Sequence, residues 1–141
     1  MKLRALRLIV TTLCMFIVVA TLSNQARAGG KGMDVTVTKD EQMATINCDG
    51  NAVTVRSKNN ILILTGDCVK LTVAGDINSI RAAAATEIAL TGNYNTIIVE
   101  TTAKIIISGH DNTVTWKTGA GGKPPEISNK GKDNRIRQPG N

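Results

Sequence analysis

Aromatic residues are scarce: the 141-residue chain holds one Phe, one Tyr and one Trp. Proteins that bind nucleic acid strands stack bases on aromatic rings set among basic groups. Tyr94 and Trp116 show no such interleaving, so no nucleic-acid partner is expected. Histidine occurs once, at His110, and of the three cysteines only Cys48 and Cys68 lie beyond the N-terminal apolar run, where they are expected to pair; these cannot make a structural zinc set. The Gly-Gly-x-Gly-x-Asp calcium repeat of secreted β-rolls is missing as well. No metal and no cofactor is expected. Long apolar runs are also lacking. The longest, Leu8–Leu22, has fifteen residues, whereas a membrane-spanning helix needs roughly 20.

That run sits between a basic start (Lys2, Arg4, Arg7) and the Ala26-Arg27-Ala28 triplet, the layout of a secretory signal with an A-x-A cleavage site. Residues 1–28 are therefore expected to be a leader, cleaved near Ala28, rather than an uncleaved anchor. Thr11-Thr12-Leu13 before Cys14 does not suit a lipoprotein site, where a small residue is wanted. The leader holds four of the seventeen basic residues and none of the eleven acidic ones, so the mature chain carries a net charge of +2 instead of +6. No transmembrane span is expected in it. Secretion, or a place in a bacterial periplasm or envelope, follows as the expected location.

Export also decides how Cys48 and Cys68 are read: two thiols left in an oxidising compartment are expected to pair. A bridge over a loop of this length would stabilise the chain by roughly 3 kcal/mol.

The remaining chain repeats itself. Thr91-Gly92-Asn93-Tyr94-Asn95-Thr96-Ile97 is echoed by Ser108-Gly109-His110-Asp111-Asn112-Thr113-Val114 seventeen residues later. Val35, Val53, Leu71, Ile88 and Ile105 form a column at spacings of 18, 18, 17 and 17; Val37, Val55, Val73, Leu90 and Ile107 form a second. Ala44, Leu62, Ile80, Ile97 and Val114 make a third, and Ile46, Leu64, Ala82, Val99 and Trp116 a fourth. Paired columns two residues apart have the strand period, so each unit offers two short strands with one face inward. Between them the turn repeats as Ser57, Gly75, Gly92 and Gly109, followed by Gln42, Asn60, Asn78, Asn95 and Asn112. Glycine permits positive φ, the reason expected for its column, and asparagine tolerates it while its side chain can bond nearby backbone.

A unit this short cannot bury its own apolar face, so successive units must stack, each strand pairing in parallel with its counterpart one coil away. The expected fold is all-β: a short single-stranded parallel β-helix, or β-solenoid, of about five coils. At ~4.8 Å per coil it would stand about 25 Å tall. Right-handed winding is expected, because parallel crossovers take that hand and the six-residue pattern of left-handed β-helices is missing. Residues 29–34 would be a linker, 35–118 the repeat domain, and 119–141 a basic tail. There the rhythm breaks at Gly119-Ala120-Gly121-Gly122 and Pro124-Pro125, then returns five residues late in Gly131–Ile136. That stretch is either a degraded sixth coil capping the stack or a loose end. Stacking further predicts that Lys70, Glu87 and Lys104 form a column of alternating sign, with Glu100 one coil below Lys117.

The Cys-Asp-Gly-Asn opening at Cys48–Asn51, the second cysteine in Thr65-Gly66-Asp67-Cys68, and the Gly-x-x-Asn-x-Ile/Val units resemble domain-of-unknown-function family 3060, a group of small exported bacterial proteins. The likeness runs from about Ile46 to Trp116. It implies export and a repetitive β domain, and it carries no reaction or catalytic residue.

Parallel β-helices include polysaccharide lyases and hydrolases, so residues able to support catalysis matter. Asp49 and Asp67 lie one coil apart, and paired carboxylates can share a proton, hold a cation or act as acid and nucleophile. Both, however, sit in turns where Asp is ordinary. His110 would have Asn93 as its neighbour, with Asp76 two coils away and beyond hydrogen-bond reach; it reads as a solvated turn residue. The asparagine column could meet sugar hydroxyls or bond within itself. Thr36, Thr54 and Thr72 make a short threonine row, faintly like an ice-binding surface, until Ala89 and Ile106 interrupt it. Ile63, Ile98 and Ile106 fall at outward positions, where they either mark a partner surface or are covered by a third wall of the coil or by the tail. The leading expectation is a non-enzymatic exported β-helix that binds or scaffolds in the envelope or outside the cell. Its partner would be an envelope polysaccharide or an exported protein. A weak carbohydrate-active enzyme using Asp49 and Asp67 is the alternative, and a homo-oligomer joined at a coil end is a third arrangement.

Overall fold

A computed structural model describes residues 33–140. The expected leader, 1–28, and most of the expected linker lie outside the described residues. Within them nine strands form one sheet, and the strands pair in parallel throughout. They are β1 (Val35–Val37), β2 (Met43–Asn47), β3 (Ala52–Val55), β4 (Ile61–Val73), β5 (Ser79–Leu90), β6 (Thr96–Ile107), β7 (Thr113–Gly119), β8 (Glu126–Asn129) and β9 (Arg135–Arg137).

The pairings sort into stacked walls. In the first wall β1, β3, the C-terminal parts of β4, β5 and β6, and then β8 follow one another, with Val35 opposite Val53 and Leu71 opposite Ile88. In the second, β2 is followed by the N-terminal parts of β4, β5 and β6, then by β7 and β9. A third, narrow ladder runs Asp67, Ala84, Thr101, Thr118, beside Cys68, Ala85, Thr102, Gly119. This third wall joins the other two, which is why β4, β5 and β6 are single long strands where two short ones were expected.

All four apolar columns point inward. Val53, Leu71, Ile88 and Ile105 from one wall meet Leu62, Ile80, Ile97 and Val114 from another, each at most 1% exposed. Burying a side chain of this kind contributes roughly 1.5–3 kcal/mol, a gain no single unit could make alone. Val35, Val37, Ala44 and Ile136, in the terminal coils, are only partly covered.

The stack has about six coils. The late turn pattern after Thr118 belongs to the sixth: β8 pairs with β6, placing Lys104 opposite Glu126, and β9 pairs with β7. The delay is absorbed by a 3-10 turn at Ala120–Gly122, with Gly121 and Gly122 at φ 64° and 75°. Lys130, Lys132, Arg135 and Arg137 therefore flank the last edge strands, where charge discourages pairing with another sheet edge.

The charge column stacks as expected and gains a member. Lys70 meets Glu87 at 2.7 Å and Lys104 meets Glu126 at 3.2 Å, while Lys117 reaches Glu100 at 3.0 Å. The Lys70 hydrogen bond holds the Glu87 carboxyl below the usual carboxylate range, opposed by desolvation and aided by the Lys70 and Lys104 charges.

Candidate functional site

The repeated turn shows how closely the coils approach. A Cβ on Gly75, Gly92 or Gly109 would collide with the carbonyl oxygen of Ser57, Gly75 or Gly92 respectively, one coil below. These glycines are required by close backbone contact. The reason expected from the sequence, positive φ, belongs to a different column: Glu41, Asn59, Ile77, Tyr94, Asp111 and Asp133 all have φ between 55° and 58°. For a β-branched or bulky residue such as Ile77 or Tyr94 this conformation is a true outlier.

Next to that column the asparagines bond one another. Asn95 Oδ1 accepts from the Asn78 backbone N–H (2.9 Å) and Nδ2 (3.1 Å); Asn95 Nδ2 donates to Asn112 Oδ1 (3.2 Å) and to the Gly75 carbonyl (3.0 Å). The same pattern joins Asn60 to Asn78 and Asn112 to Asn134. Asn60, Asn78, Asn95 and Asn112 are buried, so their amides are occupied by the ladder and do not face a sugar.

A second ladder, not anticipated as one, runs on the outer side of the turns. Asp40 Oδ1 accepts from the Lys58 N–H, Asp76 Oδ1 from Asn93, Asn93 Oδ1 from His110, and His110 Nδ1 from Lys132, at 2.7–3.2 Å. Its signal was present in the column Asp40, Lys58, Asp76, Asn93, His110. His110 thus holds the sixth coil through Nδ1, with Asn93 as its neighbour.

Cys48 and Cys68 lie at disulfide-bonding distance, both buried, with Cα atoms 4.9 Å apart. Their two-residue offset in the register is taken up by a local kink: Asp49, Gly50 and Gly66 have positive φ, and the ladder shifts between Leu64 and Asp67.

In that kink Asp49 and Asp67 occupy adjacent coils, the Gly50 N–H donating to the Asp67 carbonyl at 2.7 Å. The Asp49 carboxylate accepts from Asn47 Nδ2 at 2.8 Å, and both aspartates are exposed. No bond joins the two carboxylates among the described residues. A polar cleft of about 580 Å³ lies at the other end of the stack, lined by Asp111, Thr113, Asp133, Asn134 and Arg135. Among the described residues no group of three or more His, Cys, Asp or Glu could hold a metal ion.

The three isoleucines are not brought together. Ile63 and Ile98 share the second wall with Arg81 between them, and Ile106 lies on the first wall. Of the three, Ile63 is exposed, while Ile98 and Ile106 are half-buried. Four further exposed apolar side chains were not anticipated: Met43 and Ile61 lie opposite each other on the second wall beside Ile63, and Ile77 and Tyr94 occupy neighbouring coils of the turn column.

No curated protein and no solved structure matches the chain. A family model described as "Protein of unknown function (DUF3060)" matches residues 55–98 and 86–133, together more than half of the sequence and all of the coils from β4 to β8. The chain belongs to this family.

Proposed function

We propose that this protein is an exported, non-enzymatic binding or scaffolding module that acts in the cell envelope or outside the cell. The carrying observation is a set of exposed apolar side chains, Met43 opposite Ile61 and near Ile63 on the second wall and Ile77 next to Tyr94 in the turn column, on a stack whose interior is already filled. Scattered exposed apolar residues are ordinary, but a grouped set marks a contact surface. Export is supported by the leader pattern in 1–28 and by the buried cysteine pair, a cross-link that persists in oxidising compartments. Within the described residues, no helix is long and apolar enough to cross a membrane.

Envelope polysaccharide is the first partner to test, with an exported protein as the other. Co-sedimentation of the purified protein with isolated envelope polysaccharide should give pelleting that survives high salt. Loss of pelleting at high salt would reduce the interaction to the basic sixth coil. No pelleting at either salt would refute the polysaccharide partner.

The alternative, an enzyme using Asp49 and Asp67, draws less support. A retaining glycosidase needs two carboxylates facing a bound sugar from ~5–5.5 Å apart. Here Asp49 is tied to Asn47 in a positive-φ turn, and the cleft lies at the far end of the stack.

A further inference from the structure

The C-terminal end of the turn ridge holds polar groups that the fold does not use. Asp111 and Asp133 stand one above the other in consecutive coils, both at positive φ, with the Asp111 N–H bonded to the Lys132 carbonyl at 3.1 Å. Among the described residues neither carboxylate has an ion pair or side-chain hydrogen bond, and the Arg135 guanidinium has none either. This contrasts with the rest of the turn. Asp40 and Asp76 cap backbone N–H groups, and Asn134 is committed to the ladder.

These three free groups, with Thr113 and Asn134, line the 580 Å³ cleft. One coil away in the same column stands Tyr94, 64% exposed and held at φ 56°. That φ is shared by the whole column from Glu41 to Asp133 and belongs to the turn; it is the exposure of the Tyr94 ring that leaves it available for contact. A cleft of this volume falls in the range of ligand sites, yet ordinary small-molecule pockets are lined mainly by apolar groups. This one offers two acceptors, a planar donor and a hydroxyl, with the exposed Tyr94 one coil from its Asp111 edge.

We propose that Tyr94, Asp111, Asp133 and Arg135 form a binding site for an uncharged glycan chain. The ring of Tyr94 would cover the C–H face of one sugar. The carboxylates would accept from hydroxyls of the next, and Arg135 would donate to a hydroxyl or ring oxygen. The lining sets two carboxylates and one guanidinium amid Lys130, Lys132 and Arg137 of the same coil, so charge of one sign does not dominate it, and the described residues hold no cluster of three acidic or histidine ligands for a cation. The proposal rests on the polysaccharide reading above and gives it a location.

The test uses maltose-, cellobiose- and N-acetylglucosamine-based oligosaccharides in affinity electrophoresis and titration calorimetry. Wild-type protein is compared with Tyr94→Asn, Asp111→Asn and Thr72→Ala. Asparagine suits the backbone at position 94, so Tyr94→Asn removes the ring without a folding penalty, and a thermal melt confirms this. At least one oligosaccharide series should bind wild type, with about tenfold loss in Tyr94→Asn, a severalfold loss in Asp111→Asn and no change in Thr72→Ala. If wild type binds and Tyr94→Asn and Asp111→Asn bind equally well, the site is overturned while the polysaccharide reading stands. Pelleting with whole polysaccharide but no binding to any uncharged oligosaccharide would also overturn the site. Binding that requires calcium and vanishes with chelator would overturn it in favour of a cation site, and absence of both pelleting and binding would remove the two proposals together.

Discussion

Asn95→Ala tests the idea that side-chain amides tie the coils together. Asn95 is 1% exposed, and its side chain makes four hydrogen bonds. After truncation, Asn78 Nδ2 keeps its bond to the Ser57 carbonyl, and Asn112 Oδ1 keeps its bond from the Asn95 backbone. The Asn78 N–H and the Gly75 carbonyl lose their Asn95 partners. A buried polar group left unpaired costs ~1–3 kcal/mol, so two such groups place the expected loss at about 3 kcal/mol. For a domain of this size that lowers the Tm by roughly 10–20 °C. Gln42→Ala serves as the internal control, because the Gln42 side chain donates only to the Asp40 carbonyl at an exposed end of the ladder. Its expected cost is below ~0.5 kcal/mol. Urea unfolding of both variants with the cysteines oxidised gives the numbers, and the slope with denaturant should stay that of wild type. An Asn95→Ala loss under about 1 kcal/mol, or one equal to that of Gln42→Ala, would refute the reasoning.

Two glycines should answer differently to alanine: Gly92→Ala drives a Cβ into the Gly75 carbonyl and should cost more than ~4 kcal/mol or prevent folding, whereas Gly121→Ala meets open space and should cost only ~1 kcal/mol for its positive φ, as compared by thermal melts. Ile77→Asn should stabilise the protein by about 0.5–1 kcal/mol in urea unfolding, since it relieves a β-branched residue at φ 58° whose side chain is 56% exposed; destabilisation would show that Ile77 packs against something. Glu87 should titrate below an ordinary glutamate by NMR, and Lys70→Met should move it upward. Because the folded-state value is the lower one, its stabilising contribution is complete above the unfolded-state titration and fades as the pH falls through the folded one.

Much of this architecture was legible because stacking forces one rhythm on several independent features. The four apolar columns and the Lys70–Glu87–Lys104 alternation follow from a single register, while the Cys48–Cys68 pair was read from export and departs from that register by two residues. A third wall was conceivable from the sequence, but its residues were hidden because a two-residue ladder such as Ala84-Ala85 or Thr101-Thr102 leaves no periodic trace. Glycine at 75, 92 and 109 was recognised, but its cause was not, since a close carbonyl and a positive φ both select the same residue. The strained column was masked by ordinary side chains at Ile77 and Tyr94. As for the site, Asp49 and Asp67 were visible as coil neighbours, whereas the bond from Asn47 was not. The pairing of Asp111 with Asp133 was concealed by the extra residues around Gly119–Lys123, which displace Asp133 from the seventeen-residue register.

Function on the surface of a filled stack, instead of at a carboxylate pair, is the claim on which the rest depends. The most direct measurement incubates wild type and the Asp49→Asn/Asp67→Asn double variant with envelope polysaccharide, recording bound protein and newly released reducing ends in the same samples. Equal binding by both proteins, with no reducing ends released by either, is the predicted result. Release of reducing ends by wild type that disappears in the double variant would contradict it and make Asp49 and Asp67 catalytic.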